Sequence, residues 1–155
     1  MDRIGLATLE SEIQQDLAVM SGALAAARDR LNQPPPAGLE ACAHQLCRFY
    51  IAFEQMGLRI SKAFENHIDD GAGWHSTVLN RMTLDIEGVR PAVINAALKP
   101  PLAELKGFRH VFVHAYDLVL DDKRIEALLL NAETAVSSLP GCMETFLDTV
   151  SRELD

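Results

Sequence analysis

The densest group of side chains able to do chemistry at neutral pH lies in the segment FRHVFVHAYD, residues 108–117. It holds one arginine, two histidines, one tyrosine and one aspartate, interleaved with Val111, Phe112 and Val113. Histidine gives and takes protons near neutrality, and arginine holds a phosphate with its planar fork. The polar residues therefore indicate a binding or catalytic surface, while the apolar residues indicate a side that is buried.

As a helix at about 100° per residue, the segment places these groups on two neighbouring faces. Arg109 and Tyr116, seven residues apart, share one face, and His110, His114 and Asp117 share the next. The long arginine side chain can reach across, so all five groups can line one cleft. A cluster of titratable groups favours a functional surface over a buried helix with hydrogen-bonded core histidines.

Arg109 and His114 fit the cleavage of RNA without a metal ion or a cofactor. Such a reaction needs a base for the 2′-hydroxyl, a cation for the phosphate oxygens and an acid for the leaving 5′-oxygen. Histidine suits the two proton-transfer roles, and arginine suits the phosphate. The chemistry thus agrees with a ribonuclease, although the residues alone do not name the substrate.

The spacing of Arg109, His114 and Tyr116, R-x4-H-x-Y, resembles the motif of the HEPN superfamily, and specifically of HepT-type ribonuclease toxins. Three further segments resemble the HepT-like subgroup: GWH at 73–75, IEGVRP at 86–91 and FRH at 108–110. The resemblance covers most of the chain from about Phe49 onward. It implies an up-and-down helical bundle.

The resemblance also implies a function: a metal-independent endoribonuclease toxin whose site forms at a homodimer interface. Arg109 and His114 of both subunits would be the catalytic residues. His110 follows the arginine, where the family usually has Asn or Asp, and is expected to support the site. Tyr116 matches the tyrosine that an MntA-type nucleotidyltransferase antitoxin modifies with AMP. The expected partners are therefore RNA, a second copy of the chain and such an antitoxin.

Two alternatives from other functional classes stay open. The first is a non-catalytic HEPN module that binds a nucleotidyltransferase partner or a nucleotide. The second is a metal-dependent hydrolase that uses His110, His114 and Asp117. Two histidines one helical turn apart with an acid nearby are plausible ligands for a divalent metal.

Composition limits the remaining possibilities. A chain of 155 residues predicts a single domain over 1–155. A net charge of −8 argues against a broad basic surface for nucleic acid, so any RNA contact must be local. Three cysteines without a C-x-x-C pair favour free thiols in a reducing cytosol. No apolar run approaches the about 20 residues of a membrane span, so we expect a cytoplasmic protein.

Apolar periodicity predicts an all-α, antiparallel up-and-down bundle of four long helices and one short one. The long helices are expected at 3–31, 39–67, 101–117 and from Asp121 onward, and the short one at 74–85. Pro34-Pro35-Pro36 and Asp69-Asp70-Gly71 mark loops, and Pro140-Gly141 should kink or break the last helix.

Glu54 lies inside the most apolar stretch of the second predicted helix. Two arrangements are open for it. It can point outward beside Arg59 or Lys62, or it can pair with Arg109 and hold the guanidinium in place. The second arrangement would make Glu54 a supporting residue of the site, because a buried charge needs a partner.

Overall fold

The computed structural model describes residues 1–65 and 73–154, and it is an all-α helical bundle. Its elements are α1 (Arg3–Arg30), α2 (Ala37–Phe64), α3 (Trp74–Met82), α4 (Lys99–His114) and α5 (Asp122–Glu153), with a 3-10 turn (Ala96–Leu98) before α4. Four of the helices are long and α3 is short, which confirms the predicted fold class. The predicted loop at Asp69-Asp70-Gly71 lies outside the described residues.

Helix α2 is the centre of the bundle and packs against α1, α3, α4 and α5. Half of its 28 residues are buried. Among them Phe49, Tyr50, Phe53 and Met56 have no exposed surface. A helix that is apolar on most sides must be covered on most sides, so its sequence pattern accounts for its central place.

Helices α1 and α2 run antiparallel and are joined by the proline-rich loop 31–36. The guanidinium of Arg59, late in α2, donates to the carboxylates of Asp16 and Glu12, early in α1. The prolines end α1 and stiffen the connection. A short and rigid turn therefore connects these two long helices, which pack against each other.

Capping residues set the starts of two helices. The carboxylate of Asp2 accepts a hydrogen bond from the Gly5 N–H at 2.7 Å and begins α1. Asp121 accepts from the Lys123 N–H and begins α5, at the position where the sequence predicts this helix to start. Helix α4 begins with prolines in its first turn, where a missing N–H leaves no helical bond unmade.

A buried arginine fixes the connector between α3 and α4. The Arg90 side chain has no exposed surface. It donates to the Glu65 carboxylate and to the carbonyls of Leu84, Pro91 and Arg81, at 3.0–3.2 Å. The end of α2 and the far end of α3 are thereby joined through one side chain.

Helix α4 ends at His114, three residues earlier than the sequence predicts. The backbone of Ala115 is extended, with ψ 104°, and its N–H makes the last helical bond to the Val111 carbonyl. Neither glycine nor proline marks this end in the sequence. The prediction that α4 extends to Asp117 is therefore wrong, because no residue type at this end indicates where the helix stops.

Helix α5 is not broken at Pro140, although Pro140-Gly141 was expected to kink or break it. The missing N–H of Pro140 leaves the Val136 carbonyl unpaired, and because Pro140 is exposed and Val136 partly exposed, water can bond this carbonyl. Leu139 and Met143 are buried on either side and hold the helix to the core. Packing of the apolar face therefore outweighs the lost hydrogen bond.

The three cysteines are free thiols, with Cys42 and Cys47 buried and Cys142 partly buried. In the part of the chain that the structure describes, no helix has both the length and the apolar character to cross a membrane.

Gly57 allows α3 to lie close against α2. A Cβ atom at this position would be 2.6 Å from Cγ1 of Val78, whereas a Cβ at Gly22 of α1 would meet nothing within 4 Å. Contacts of 2.6 Å are not tolerated, and valine is stiff about χ1. An added methyl group must therefore push α3 away from α2.

We expect Gly22→Ala to raise the free energy of unfolding by about 1 kcal/mol, the difference in helix propensity. Gly57→Ala makes the same propensity gain but should lower the free energy of unfolding, because overpacking costs about 1–3 kcal/mol. Urea denaturation followed by circular dichroism measures both. Equal stabilisation by the two substitutions would contradict the close packing of α3 on α2.

Candidate active site

A cleft of about 450 Å³ lies where α2, the start of α3 and α4 meet. Its polar lining comes from all three helices: Glu54 from α2, His75 and Ser76 from α3, and Lys106, Arg109, His110 and His114 from α4. The fold thus brings Glu54, Arg109, His110 and His114, four of the predicted site residues, to one place.

The centre of the cleft is an ion pair between Arg109 and Glu54. Nη1 of Arg109 donates to Oε2 of Glu54 at 2.7 Å, and Glu54 is only 2% exposed. Arg59, one of the two residues beside which an outward-pointing Glu54 was expected, pairs with Asp16 and Glu12 instead. Of the two arrangements open from the sequence, Glu54 has the one in which it holds the guanidinium.

The ion pair with Glu54 orients the Arg109 side chain but leaves it partly exposed. Its side chain is 32% exposed and lines the cleft. Its Nε is buried and has no hydrogen-bond partner among the described residues. One nitrogen of the planar fork is therefore anchored, and the exposed part of the fork can receive an anion.

The two histidines of α4 form a stacked pair with ring centroids 4.6 Å apart. Nδ1 of His114 lies 2.9 Å from the carbonyl oxygen of His110. A carbonyl oxygen only accepts hydrogen bonds, so Nδ1 must carry the hydrogen. In the neutral ring Nε2 then holds the lone pair, and this nitrogen of the exposed His114 can accept a proton.

His75 is a cleft residue that the sequence analysis did not place in the site. Its Nδ1 lies 3.2 Å from Oε1 of Glu54, and its ring stacks on Trp74. Glu54 therefore binds Arg109 with one oxygen and His75 with the other. The sequence singles out the segment Gly73-Trp74-His75 only through its resemblance to the HepT-like subgroup. No pattern of residues along the chain indicates that the start of α3 packs beside Glu54.

Two buried groups beside the ion pair are held in their neutral forms. Burial raises the pKa of the Cys47 thiol to about 11, against the attraction of Arg109. Burial and the charge of Glu54 also raise the pKa of Tyr50. Neither group is therefore ionised near neutral pH, and neither acts as a base or nucleophile for the cleft.

Tyr116 and Asp117 lie beyond the end of α4, so the prediction that they share helical faces with Arg109 and His114 is wrong. The extended backbone at Ala115 ends the helix before them. Tyr116 is fully exposed in the following turn. It neither packs against the end of the bundle nor lies over Arg109 through helical geometry.

Residues 1–65 and 73–154 contain no set of metal ligands that would support the metal-dependent alternative. Within those ranges, no three His, Cys, Asp or Glu side chains come together in a group that could hold a metal ion. Asp117 in particular does not complete such a group with His110 and His114. The expected third ligand depended on a helix that stops at His114.

Exposed apolar side chains lie along and just beyond the last turns of α4, where Val111, Leu118 and Val119 line hollows separate from the cleft. Val113 lines the cleft itself. We call this group the apolar rim: Val111, Val113, Leu118 and Val119, exposed by 43%, 62%, 37% and 87%. Four exposed apolar side chains within nine residues of chain indicate a surface that another molecule can cover.

Comparison with known protein families agrees with the geometry. The model of the family described as HepT-like protein matches residues 41–150. This span is well over half of the chain and contains every cleft residue named above. No curated protein and no solved structure matches the chain. On the strength of the family match, the chain belongs to the HepT-like protein family.

Proposed function

We propose that the protein is a metal-independent endoribonuclease that acts as the toxin of a toxin–antitoxin pair. Membership of the HepT-like family supports this proposal, because the HepT toxins that the chain resembles are HEPN-type ribonucleases. The observation that carries it is the presence of Arg109 and His114 in one cleft. Glu54 anchors the arginine, and Nε2 of the histidine is left for proton transfer.

The proposed reaction is an attack of the RNA 2′-hydroxyl on the neighbouring phosphorus. A histidine takes the hydroxyl proton, the O2′–P bond forms, and the P–O5′ bond breaks as a proton reaches the leaving oxygen. Arg109 stabilises the charge that develops on the phosphate oxygens. The products are a 2′,3′-cyclic phosphate and a free 5′-hydroxyl, and no metal ion or cofactor takes part.

Charge on the cleft wall supports local contact with RNA on an otherwise acidic chain. Lys106 and Arg109 both line the cleft, and Glu54, the carboxylate that lines it with them, is buried. The net charge of −8 disfavours a long RNA footprint. A site that grips one phosphate and its neighbours agrees better with this balance.

The active unit in this proposal is a homodimer whose interface includes the cleft face of α4 and the apolar rim. In the HEPN ribonucleases that the chain resembles, each subunit supplies one R-x4-H motif. The apolar rim gives two copies of this chain an apolar surface to bury against each other. Val113, which lines the cleft together with His114, would bring the two motifs near the two-fold axis.

We expect the wild-type protein to sediment as a dimer at micromolar concentration. Val113→Glu should weaken the dimer at least about tenfold, because burying an unpaired charge is unfavourable by more than about 1.4 kcal/mol. Ile4→Glu is the matched control, since Ile4 is a similarly exposed apolar residue on α1. A wild-type monomer, or a dimer weakened only by Ile4→Glu, would contradict the proposed interface.

We expect Arg109→Ala and His114→Ala each to lower RNA cleavage by about 10²–10⁴-fold and to remove toxicity in cells. His44→Ala is the control, because His44 is an exposed histidine of α2 outside the cleft. Cleavage by the wild type should persist in EDTA and leave a cyclic phosphate, which mass spectrometry of the products detects.

Two results would count against the ribonuclease proposal. Activity that EDTA abolishes and zinc or manganese restores would favour a metal-dependent hydrolase. A folded wild-type protein that cleaves no RNA, but binds a nucleotidyltransferase or a nucleotide, would favour the non-catalytic module.

Control of the toxin is proposed to act through Tyr116. In the HepT toxins that the chain resembles, an MntA-type nucleotidyltransferase antitoxin attaches AMP to the corresponding tyrosine. The full exposure of Tyr116, two residues beyond the end of the cleft helix, supports its accessibility to such an enzyme. An attached nucleotide would add negative charge and bulk close to His114.

We expect Tyr116→Phe to remain toxic and to escape the antitoxin, because it keeps the ring but lacks the hydroxyl that accepts AMP. The measurement is growth of cells that express each variant with the cognate nucleotidyltransferase, and intact-mass analysis of the co-expressed wild type. Tyr50→Phe is a suitable control, since Tyr50 is fully buried. Normal neutralisation of Tyr116→Phe, with no nucleotide on the wild type, would contradict this control mechanism.

A further inference from the structure

We propose that His75 is a second proton-transfer residue of the cleft and works as the general acid beside His114 of the same chain. This inference rests on the proposed ribonuclease function and extends it. It gives one subunit both a base and an acid, where the R-x4-H motif alone supplies one histidine per subunit.

The hydrogen bond from His75 to Glu54 fixes the orientation of the ring. Nδ1 of His75 lies 3.2 Å from Oε1 of Glu54, whose side chain is only 3% exposed. In the ion pair with Arg109 this carboxylate only accepts, so Nδ1 carries the hydrogen. Nε2 then lies on the opposite side of the ring, on a side chain that is 47% exposed and lines the same cleft as His114.

Three contacts hold His75 in this position. Its ring stacks on Trp74 with centroids 3.8 Å apart. Nζ of Lys106, on α4, donates to the carbonyl of the next residue, Ser76. Farther along α3, Val78 packs into the space left by Gly57 of α2. The start of α3 is thereby fastened to both of the other helices that form the cleft.

The partners of the two histidines suggest how the roles divide. Nδ1 of His75 faces a carboxylate, and Nδ1 of His114 faces a carbonyl. A protonated ring makes a charge-assisted hydrogen bond with a carboxylate, and such bonds are stronger than those to neutral acceptors. The carboxylate partner therefore assigns the acid role to His75 and leaves the base role to His114.

In the resulting step, Nε2 of His114 takes the 2′-hydroxyl proton as the O2′–P bond forms. Nε2–H of His75 gives its proton to the 5′-oxygen as the P–O5′ bond breaks. His114 ends with one proton more and His75 with one fewer, and exchange with water restores both. Glu54 links this acid to Arg109, so one carboxylate orients both the proton donor and the cation.

The test compares two substrates that differ in the need for an acid. One is a ribonucleotide dinucleotide, whose 5′-oxygen must be protonated as it leaves. The other is a ribonucleoside 3′-(4-nitrophenyl phosphate), whose nitrophenolate leaves without a proton. We expect His75→Ala to lose about 10²–10⁴-fold in kcat/KM on the dinucleotide and less than about tenfold on the nitrophenyl ester. His114→Ala, which lacks the base, should lose heavily on both.

The variant His75→Asn guards against a change in folding. Its amide N–H₂ can still donate to Glu54, but the amide cannot transfer a proton. It should reproduce the substrate-dependent loss of His75→Ala with a thermal midpoint close to the wild type.

Each other outcome overturns the proposal. Equal losses on both substrates would make His75 a structural residue only. Full activity of both His75 variants on the dinucleotide would remove His75 from the reaction and leave the ribonuclease proposal standing. A wild-type protein that cleaves neither substrate would end the ribonuclease proposal itself, and the role of His75 with it.

Discussion

A buried carboxylate at Glu54 sets the geometry of the candidate site. Charge taken out of water must be paired, and Glu54 is paired at both oxygens, with Arg109 on α4 and His75 on α3. Glu54 therefore joins α2, α3 and α4 at one point. A cation and an imidazole fixed by one carboxylate before any ligand arrives constitute a preorganised site, in which little reorganisation is needed as charge develops.

Helices and core were predictable from the sequence because their cause is local. Apolar residues at helical spacing place α1, α2 and α5, and the capping carboxylate of Asp121 places the start of α5. Two features were not predictable. The end of α4 depends on the backbone of Ala115, which no glycine or proline announces. The continuity of α5 through Pro140 depends on which side of the helix faces water, a property of the packed bundle.

Some residues of the candidate site could be predicted from their spacing in the sequence, and others depend on how the helices pack. Arg109, His110 and His114 lie within six consecutive positions of one helix, so spacing alone brings them together. Glu54 lies 55 residues before Arg109, and the sequence left two arrangements open for it, of which the buried one needed a charged partner. His75 was missed because the packing of α3 against α2 and α4, which no local pattern indicates, brings it to Glu54. Tyr116 was predicted to share a helical face with Arg109 because α4 was predicted to be three residues longer than it is.

The same ion pair explains why arginine suits position 109 better than lysine. A guanidinium has five N–H donors spread over a planar fork, so Nη1 can bind Glu54 while about a third of the side chain faces the cleft. A lysine ammonium concentrates its charge on one atom, and a carboxylate bound there would neutralise the group that a phosphate needs. A chain with a net charge of −8 also repels nucleic acid at long range. Affinity for the proposed RNA substrate must then come from short, directional hydrogen bonds, and a fork aimed by a buried carboxylate is the means that this fold provides.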